Sequence, residues 1–169
     1  IVAADQEGGS VAHLSPLLET MPALASVLAG PAAGVAARAR AYGERQGAAL
    51  ADLGVTMNLA PVVDLKPPRP PSWIDRHTRI GDRAIAADPE TVARVAAAYS
   101  QGLRAGGVQP TVKHFPGLGG VRGDTHLVQA RLDLPLAALQ RQWLPFRTVA
   151  GHGGAAMMLG HVLVPALDP

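Results

Sequence analysis

The chain has 169 residues, 48% of them hydrophobic and 17% charged, and carries a net charge of +2 with neutral His; this is the composition of one globular domain with its own core. It has no Cys, which excludes disulfides, thiolate metal sites and Cys nucleophiles, and no apolar run of the ~18 residues that would suggest a membrane-spanning helix. Lys and Arg are scattered, aromatics are only 4%, and the three charges among the first 37 residues are all acidic, so nucleic acid is not an expected partner.

Residues 1–5 (IVAAD) read as a buried strand that ends on an acid and breaks at Gly8-Gly9. Residues 16–31 are irregular or short-helical. From 32 to 53 the pattern is helical, with Val35, Ala39, Tyr42, Gln46, Ala49 and Leu53 at three- and four-residue steps and Gly54 placed to end the helix. Residues 55–63 (VTMNLAPVV) form a second buried strand ending at Asp64, and 66–71 (KPPRPP) a stiff extended loop. Asp88-Pro89-Glu90 is a helix start: an N-cap, Pro at the first position and an acid at the positive helix end. Val92, Val95, Ala96, Tyr99 and Leu103 are its apolar face, and Gly106-Gly107 stops it. A third strand lies within 108–115, a helix disturbed by Pro145 within 134–150, and a fourth strand within 155–164.

Alternating strands and helices predict an α/β protein with a parallel sheet, and no internal boundary divides residues 1–169. Polar residues gather just after each strand: Asp5-Gln6-Glu7, Asp64, Lys113-His114 and His161. In α/β folds that end of the sheet binds ligands.

The densest chemistry is KHFPGLGGVRGDTH, from Lys113 to His126. Asp124, two residues before His126, can fold back on the imidazole, fix its tautomer and favour its charged form; the alternative is a solvated loop His beside an Asp turn. Lys113 and His114 suit a clamp for hydroxyls or an anion, or else a Lys reaching out to solvent and a satisfied core His. Asp5 and Asp64 admit acid/base work, sugar-hydroxyl binding or, for Asp64 especially, loop capping. Arg83 either reaches a substrate oxygen or pairs with Asp82. The spacing of His114, Asp124 and His126 fits no helical metal signature, so no metal is expected. Gly117, Gly119 and Gly120 lack the ending and spacing of a phosphate cradle.

In order, DQEGG, NLAPVVDL, IGDR before a capped helix, KHFPGLGG with GDTH, and AAMMLGHV form a series. Over nearly the whole chain, from Asp5 to Pro165, it resembles glycoside hydrolase family 3 in its β-N-acetylhexosaminidase branch. The β-glucosidase branch is similar at K-H-F but is not known for the D-x-H pair. The resemblance implies a (β/α)8 TIM-barrel glycosidase domain of which this chain holds strands two to five. It implies a retaining hydrolase that removes terminal β-linked N-acetylglucosamine from peptidoglycan fragments or chitin-type saccharides; some members are phosphorylases. His126 would be the general acid/base, oriented by Asp124, and Asp5, Arg83, Lys113 and His114 would bind the terminal sugar. No metal or organic cofactor is implied.

Three departures stand out. Gly117-Leu118-Gly119-Gly120 replaces a common G-H-G-D, and Ser10 and His13 stand where two Arg often follow D-Q-E-G-G. The family's nucleophilic Asp, in an S-D-x-L type segment after a later strand, is not reached by Pro169. The 169 residues alone are therefore expected to lack activity, with two sheet edges unpaired.

Overall fold

A computed structural model describes residues 1–68, 78–121, 124, 125 and 127–168. In chain order the elements are β1 (Ala3–Ala4), β2 (Gln6–Gly8), β3 (Val11–Ala12), α1 (Val35–Asp52), β4 (Met57–Asn58), the single turn α2 (Ile80–Arg83), α3 (Pro89–Ala105), β5 (Gln109–Phe115), β6 (Ala130–Arg131), α4 (Leu136–Gly151), β7 (Ala156–Leu159) and β8 (Val162–Leu163). A short 3-10 turn at Leu24–Leu28 lies in the stretch expected to be irregular, and another at Ala32–Gly34 opens the stretch expected to be helical.

The main sheet runs β1-β4-β5-β7, every pair parallel. Parallel neighbours need a crossover, and α1, α3 and α4 supply the three. Strand order that follows chain order, without reversal, is that of a barrel arc rather than of a doubly wound sheet.

The helices begin and end where local chemistry directs. Asp88 caps α3 by accepting from the Thr91 N–H at 2.8 Å, and Gly107, at φ +92°, follows its end. All five residues expected on the α3 face are fully buried. On α1 the buried row is Val35, Ala39, Tyr42, Gln46 and Leu50. Leu53, expected to extend it, is 41% exposed, because the helix ends at Asp52 and Gly54 (φ +78°) turns the chain away. One continuous core joins these faces to Val112 of β5 and to Phe146 and Val149 of α4.

Glycines set the α1–α3 crossing. A Cβ on Gly102 would overlap the Arg40 carbonyl and approach the Glu44 N to 2.7 Å, and one on Gly47 would lie 2.7 Å from the Leu103 carbonyl. Both neighbours are backbone and cannot swing aside. Gly102→Ala should therefore lose stability, since overpacking of about 1–3 kcal/mol outweighs the ~1 kcal/mol that Ala gains as a helix former. Gly151→Ala at the end of α4, where nothing lies within 4 Å, is the control and should be neutral or slightly stabilising. Urea unfolding of the two variants checks the contrast.

Three strands differ from expectation, the first being 55–63, where only Met57–Asn58 is strand and Val62 adds an isolated bridge to Lys113. Residues 1–5 do not make a buried strand: Ile1 is 99% and Val2 55% exposed, because β1 is an edge of the sheet. The expected strand 155–164 divides at Gly160. β7 continues the main sheet, while β8 leaves it to pair with β6. A Cβ on Gly160 would sit 3.0 Å from Leu118 and 3.4 Å from the His114 Cβ, so the break lies where the chain passes the Gly-rich loop. Of the stiff loop 66–71, residues 69–71 lie outside the described residues.

Candidate active site

The ends of β1, β5 and β7 lead to a cavity of about 300 Å³, whose walls include Asp5, Arg83, Lys113, His114 and His161. The four side chains expected to bind a sugar are thus brought together, although 108 residues separate Asp5 from Lys113.

Lys113 does not reach out to solvent. Its side chain is 1% exposed, and its ammonium sits 2.6 Å from Asp5 Oδ1 and 2.6 Å from Glu7 Oε1. Glu7 in turn takes a two-pronged grip from Arg83, with Nε to Oε2 at 2.9 Å and Nη2 to Oε1 at 2.6 Å. The result is a chain of alternating charge, Asp5–Lys113–Glu7–Arg83, in which only Asp5, 27% exposed, is appreciably open. Burial alone would raise the Glu7 carboxyl, but the Arg83 guanidinium and the Lys113 ammonium outweigh it and hold it below the usual carboxylate range. Burial would lower Arg83, and the Glu7 carboxylate outweighs that, so the guanidinium is held more firmly charged than usual.

Glu7 was not among the residues expected to bind substrate, yet it is the hub. The signal was the two-residue step from Asp5 to Glu7, which in extended chain puts both acids on one side. Arg83 does not pair with Asp82. Asp82 accepts from Arg79, at 2.9 Å from Nε and 2.5 Å from Nη2, one turn away on the exposed side of α2.

Asp64 is completely buried. Its Oδ2 lies 2.7 Å from His114 Nδ1, and its Oδ1 accepts from the Leu118 N–H at 2.6 Å. It caps the loop, as its position suggested, and it also orients the imidazole. Asp5 and Asp64 do not act as a carboxylate pair, since one holds Lys113 and the other His114. An ionised carboxylate can only accept, so the proton of that contact belongs to Nδ1, and Nε2 is left to serve the cavity.

The Gly-rich loop departs from its expected polar pattern for a packing reason. Leu118 is 4% exposed in a small apolar cluster with Ile80 and Ala84, against Val121 and Val162. A Cβ on Gly120 would lie 2.8 Å from Leu134 Cδ1, so glycine lets the loop lie flat on that side chain. Gly117 takes φ +111°, a conformation glycine adopts freely. His13 lines the cavity, while Ser10 is not part of its lining.

Asp124 is fully buried, and its Oδ1 accepts from the Thr78 hydroxyl at 2.9 Å. Its carbonyl accepts from the N–H groups of Leu127 and Val128, both at 3.0 Å. Thr78 and Thr125 line the cavity, so this turn borders it. His126 lies outside the described residues.

The chain is similar to several known proteins. The chain is 38% identical over 175 residues to a beta-hexosaminidase of Xanthomonas oryzae pv. oryzae, covering 100% of this chain and 49% of that protein. It is 37% identical over 167 residues to beta-hexosaminidase LpqI of Mycobacterium tuberculosis, covering 98% of this chain and 41% of that one. NagZ from Neisseria gonorrhoeae, solved in complex with N-trifluoroacetyl-D-glucosamine, superposes with a TM-score of 0.87 at 34% identity, over 99% of this chain and 49% of its own. The chain thus spans about half the length of the curated relatives it matches, and its parallel sheet is an arc of their barrel. The model of the glycosyl hydrolase family 3 N-terminal domain matches residues 1–169, and the chain belongs to that family.

Proposed function

We propose that this chain supplies the sugar-binding and acid/base part of a retaining β-N-acetylglucosaminidase, which removes terminal β-linked N-acetylglucosamine from peptidoglycan fragments or chito-oligosaccharides. The observation that carries the reading is the convergence of Asp5, Lys113, Arg83 and His114 on one cavity, each held by a buried counter-charge. Such groups recognise hydroxyls through charge-assisted hydrogen bonds and fix the ring before reaction. Asp5, the most open of the buried charge chain, accepts from sugar hydroxyls, Lys113 and Arg83 donate, and His114 offers its free Nε2 as an acceptor. The relatives named beta-hexosaminidase and the glucosamine derivative bound by the Neisseria protein support the same substrate class.

In this reading His126 gives its proton to the leaving glycosidic oxygen while a carboxylate displaces that oxygen from the anomeric carbon. His126 then takes a proton from the water that displaces the carboxylate and releases the sugar, and the two inversions together retain configuration. Asp124 orients the imidazole and offsets its charge. The carboxylate nucleophile comes from the part of the family fold beyond the half covered here. The Asp–His pair takes the place of the usual second carboxylic acid.

The test is hydrolysis of a chromogenic N-acetyl-β-glucosaminide by the intact protein, with the matching β-glucoside beside it. Turnover of the first alone, at a rate independent of phosphate, is expected. A rate that grows with phosphate would make phosphate the acceptor and the enzyme a phosphorylase. Preference for the glucoside would overturn the assignment.

A further inference from the structure

We propose that Thr78 is a positioning residue that locks the Asp124 turn to the arginine of the sugar site. Three contacts carry this. The Thr78 carbonyl accepts from Arg83 Nη1 at 2.8 Å. Its hydroxyl donates to Asp124 Oδ1 at 2.9 Å. The Thr125 N–H donates back to the same hydroxyl at 3.1 Å. A hydroxyl has one proton, and an ionised carboxylate can only accept, so that proton is committed to Asp124. The Thr125 hydroxyl, 3.1 Å from the Thr78 oxygen, is then the donor in that contact too. Thr78 is 4% exposed and Asp124 fully buried, so water does not readily replace the missing donor if the hydroxyl is removed.

One residue therefore holds the binding site through its backbone and the turn before His126 through its side chain. Arg83 is itself fixed by Glu7, and Glu7 by Lys113. The geometry links the charge chain under the sugar to the carboxylate that orients the acid/base. The catalytic consequence rests on the acid/base role given to Asp124 and His126; the anchoring itself does not.

Thr78→Val keeps the shape, the β-branch and the carbonyl but removes the hydroxyl, and Thr78→Ser restores it. Hydrogen exchange in the intact protein is the first readout. The Leu127 and Val128 amides close the turn on the Asp124 carbonyl. In the Val variant they should exchange about 10- to 100-fold faster, as loss of a hydrogen bond to a charged group implies. Amides of α3 should be unchanged, and Ser should restore protection. Unchanged protection at Leu127 and Val128, or a matching loss in α3, would overturn the anchor.

The second readout is the dependence on leaving group. An N-acetylglucosaminide with an alkyl or sugar aglycone needs its leaving oxygen protonated, whereas a dinitrophenyl glycoside does not. Thr78→Val should lower kcat/KM about 10- to 100-fold on the first and leave the second near wild type, because the hold on Arg83 is a backbone contact. Equal losses on both substrates would overturn the coupling. Should the wild type cleave neither, the glycosidase reading fails, and the exchange result still decides whether Thr78 anchors the turn.

Discussion

Glu7→Gln is expected to lower the unfolding free energy by about 3–5 kcal/mol at neutral pH, far more than an ordinary surface substitution. The change is nearly isosteric, so the cost is electrostatic. Among the described residues Glu7 is the one carboxylate in ion-pair contact with both Lys113 and Arg83, and the two side chains are 1% and 7% exposed. Without it Lys113 keeps Asp5 as its charged partner among the described residues, and Arg83 keeps the Thr78 carbonyl and the more distant charges of Asp5 and Asp64. Two buried cations then face a neutral amide whose NH2 points at one of them. The pH dependence has a definite sign. A carboxylate held below its unfolded value stabilises the fold fully above that value, about pH 4.3 for Glu, and loses the contribution as pH falls through the folded value. The gap in stability between wild type and Glu7→Gln should therefore be widest at neutral pH and close in acid. Urea titrations of both proteins across that range measure it. A gap that stayed constant would mean that the cost comes from packing and not from the carboxylate charge.

The contrast between Glu7 and the residues expected in advance shows what a sequence makes visible. α1 and α3 were legible because their signals are local: Asp88 three residues before the N–H it caps, and glycines directly after the ends. The ligand-binding end of the sheet was legible too, since Asp5, Asp64 and Lys113-His114 each follow a strand. The family pattern singled out Arg83. What could not be read was who holds whom. Arg83 and Glu7 are 76 residues apart in the chain, and Thr78 and Asp124 are 46 apart. No short-range spacing marks either pair. Asp82 was a plausible partner for Arg83 because it is adjacent in sequence, but on a helical turn adjacent residues point apart, while Arg79 and Asp82 share a face. The exposure at the start of β1 belongs to one of the two unpaired edges that strands two to five of a barrel imply. Leu118 is the converse case. A departure from a polar family pattern looked like a loss of loop hydrogen bonds. The structure shows an apolar anchor whose backbone N–H still reaches Asp64.

Asp64→Asn should switch the tautomer of His114 and lower kcat/KM for the N-acetylglucosaminide about 10- to 100-fold, the range expected when a charge-assisted hydrogen bond is lost. The wild-type carboxylate serves three donors at once: the Leu118 N–H, His114 Nδ1 and, at 3.3 Å, the His114 backbone N–H. An amide has one acceptor oxygen. If that oxygen keeps Leu118, the amide NH2 faces Nδ1, and two donors cannot share that contact. The imidazole then moves its proton to Nε2 and accepts at Nδ1. The ring stays in place, but its two nitrogens have exchanged roles. What it offers a sugar hydroxyl is now a donor in place of an acceptor. Nitrogen-15 shifts of His114 in the free protein report the protonated nitrogen directly: Nδ1 in the wild type, Nε2 in the variant. A ring that kept its proton on Nδ1 would show that the amide had turned its oxygen to His114. The unmet donor would then be the Leu118 N–H, and the lost activity would lie in the loop rather than in the imidazole. Exchange at Leu118 separates the two, because protection there survives only if the oxygen still faces it.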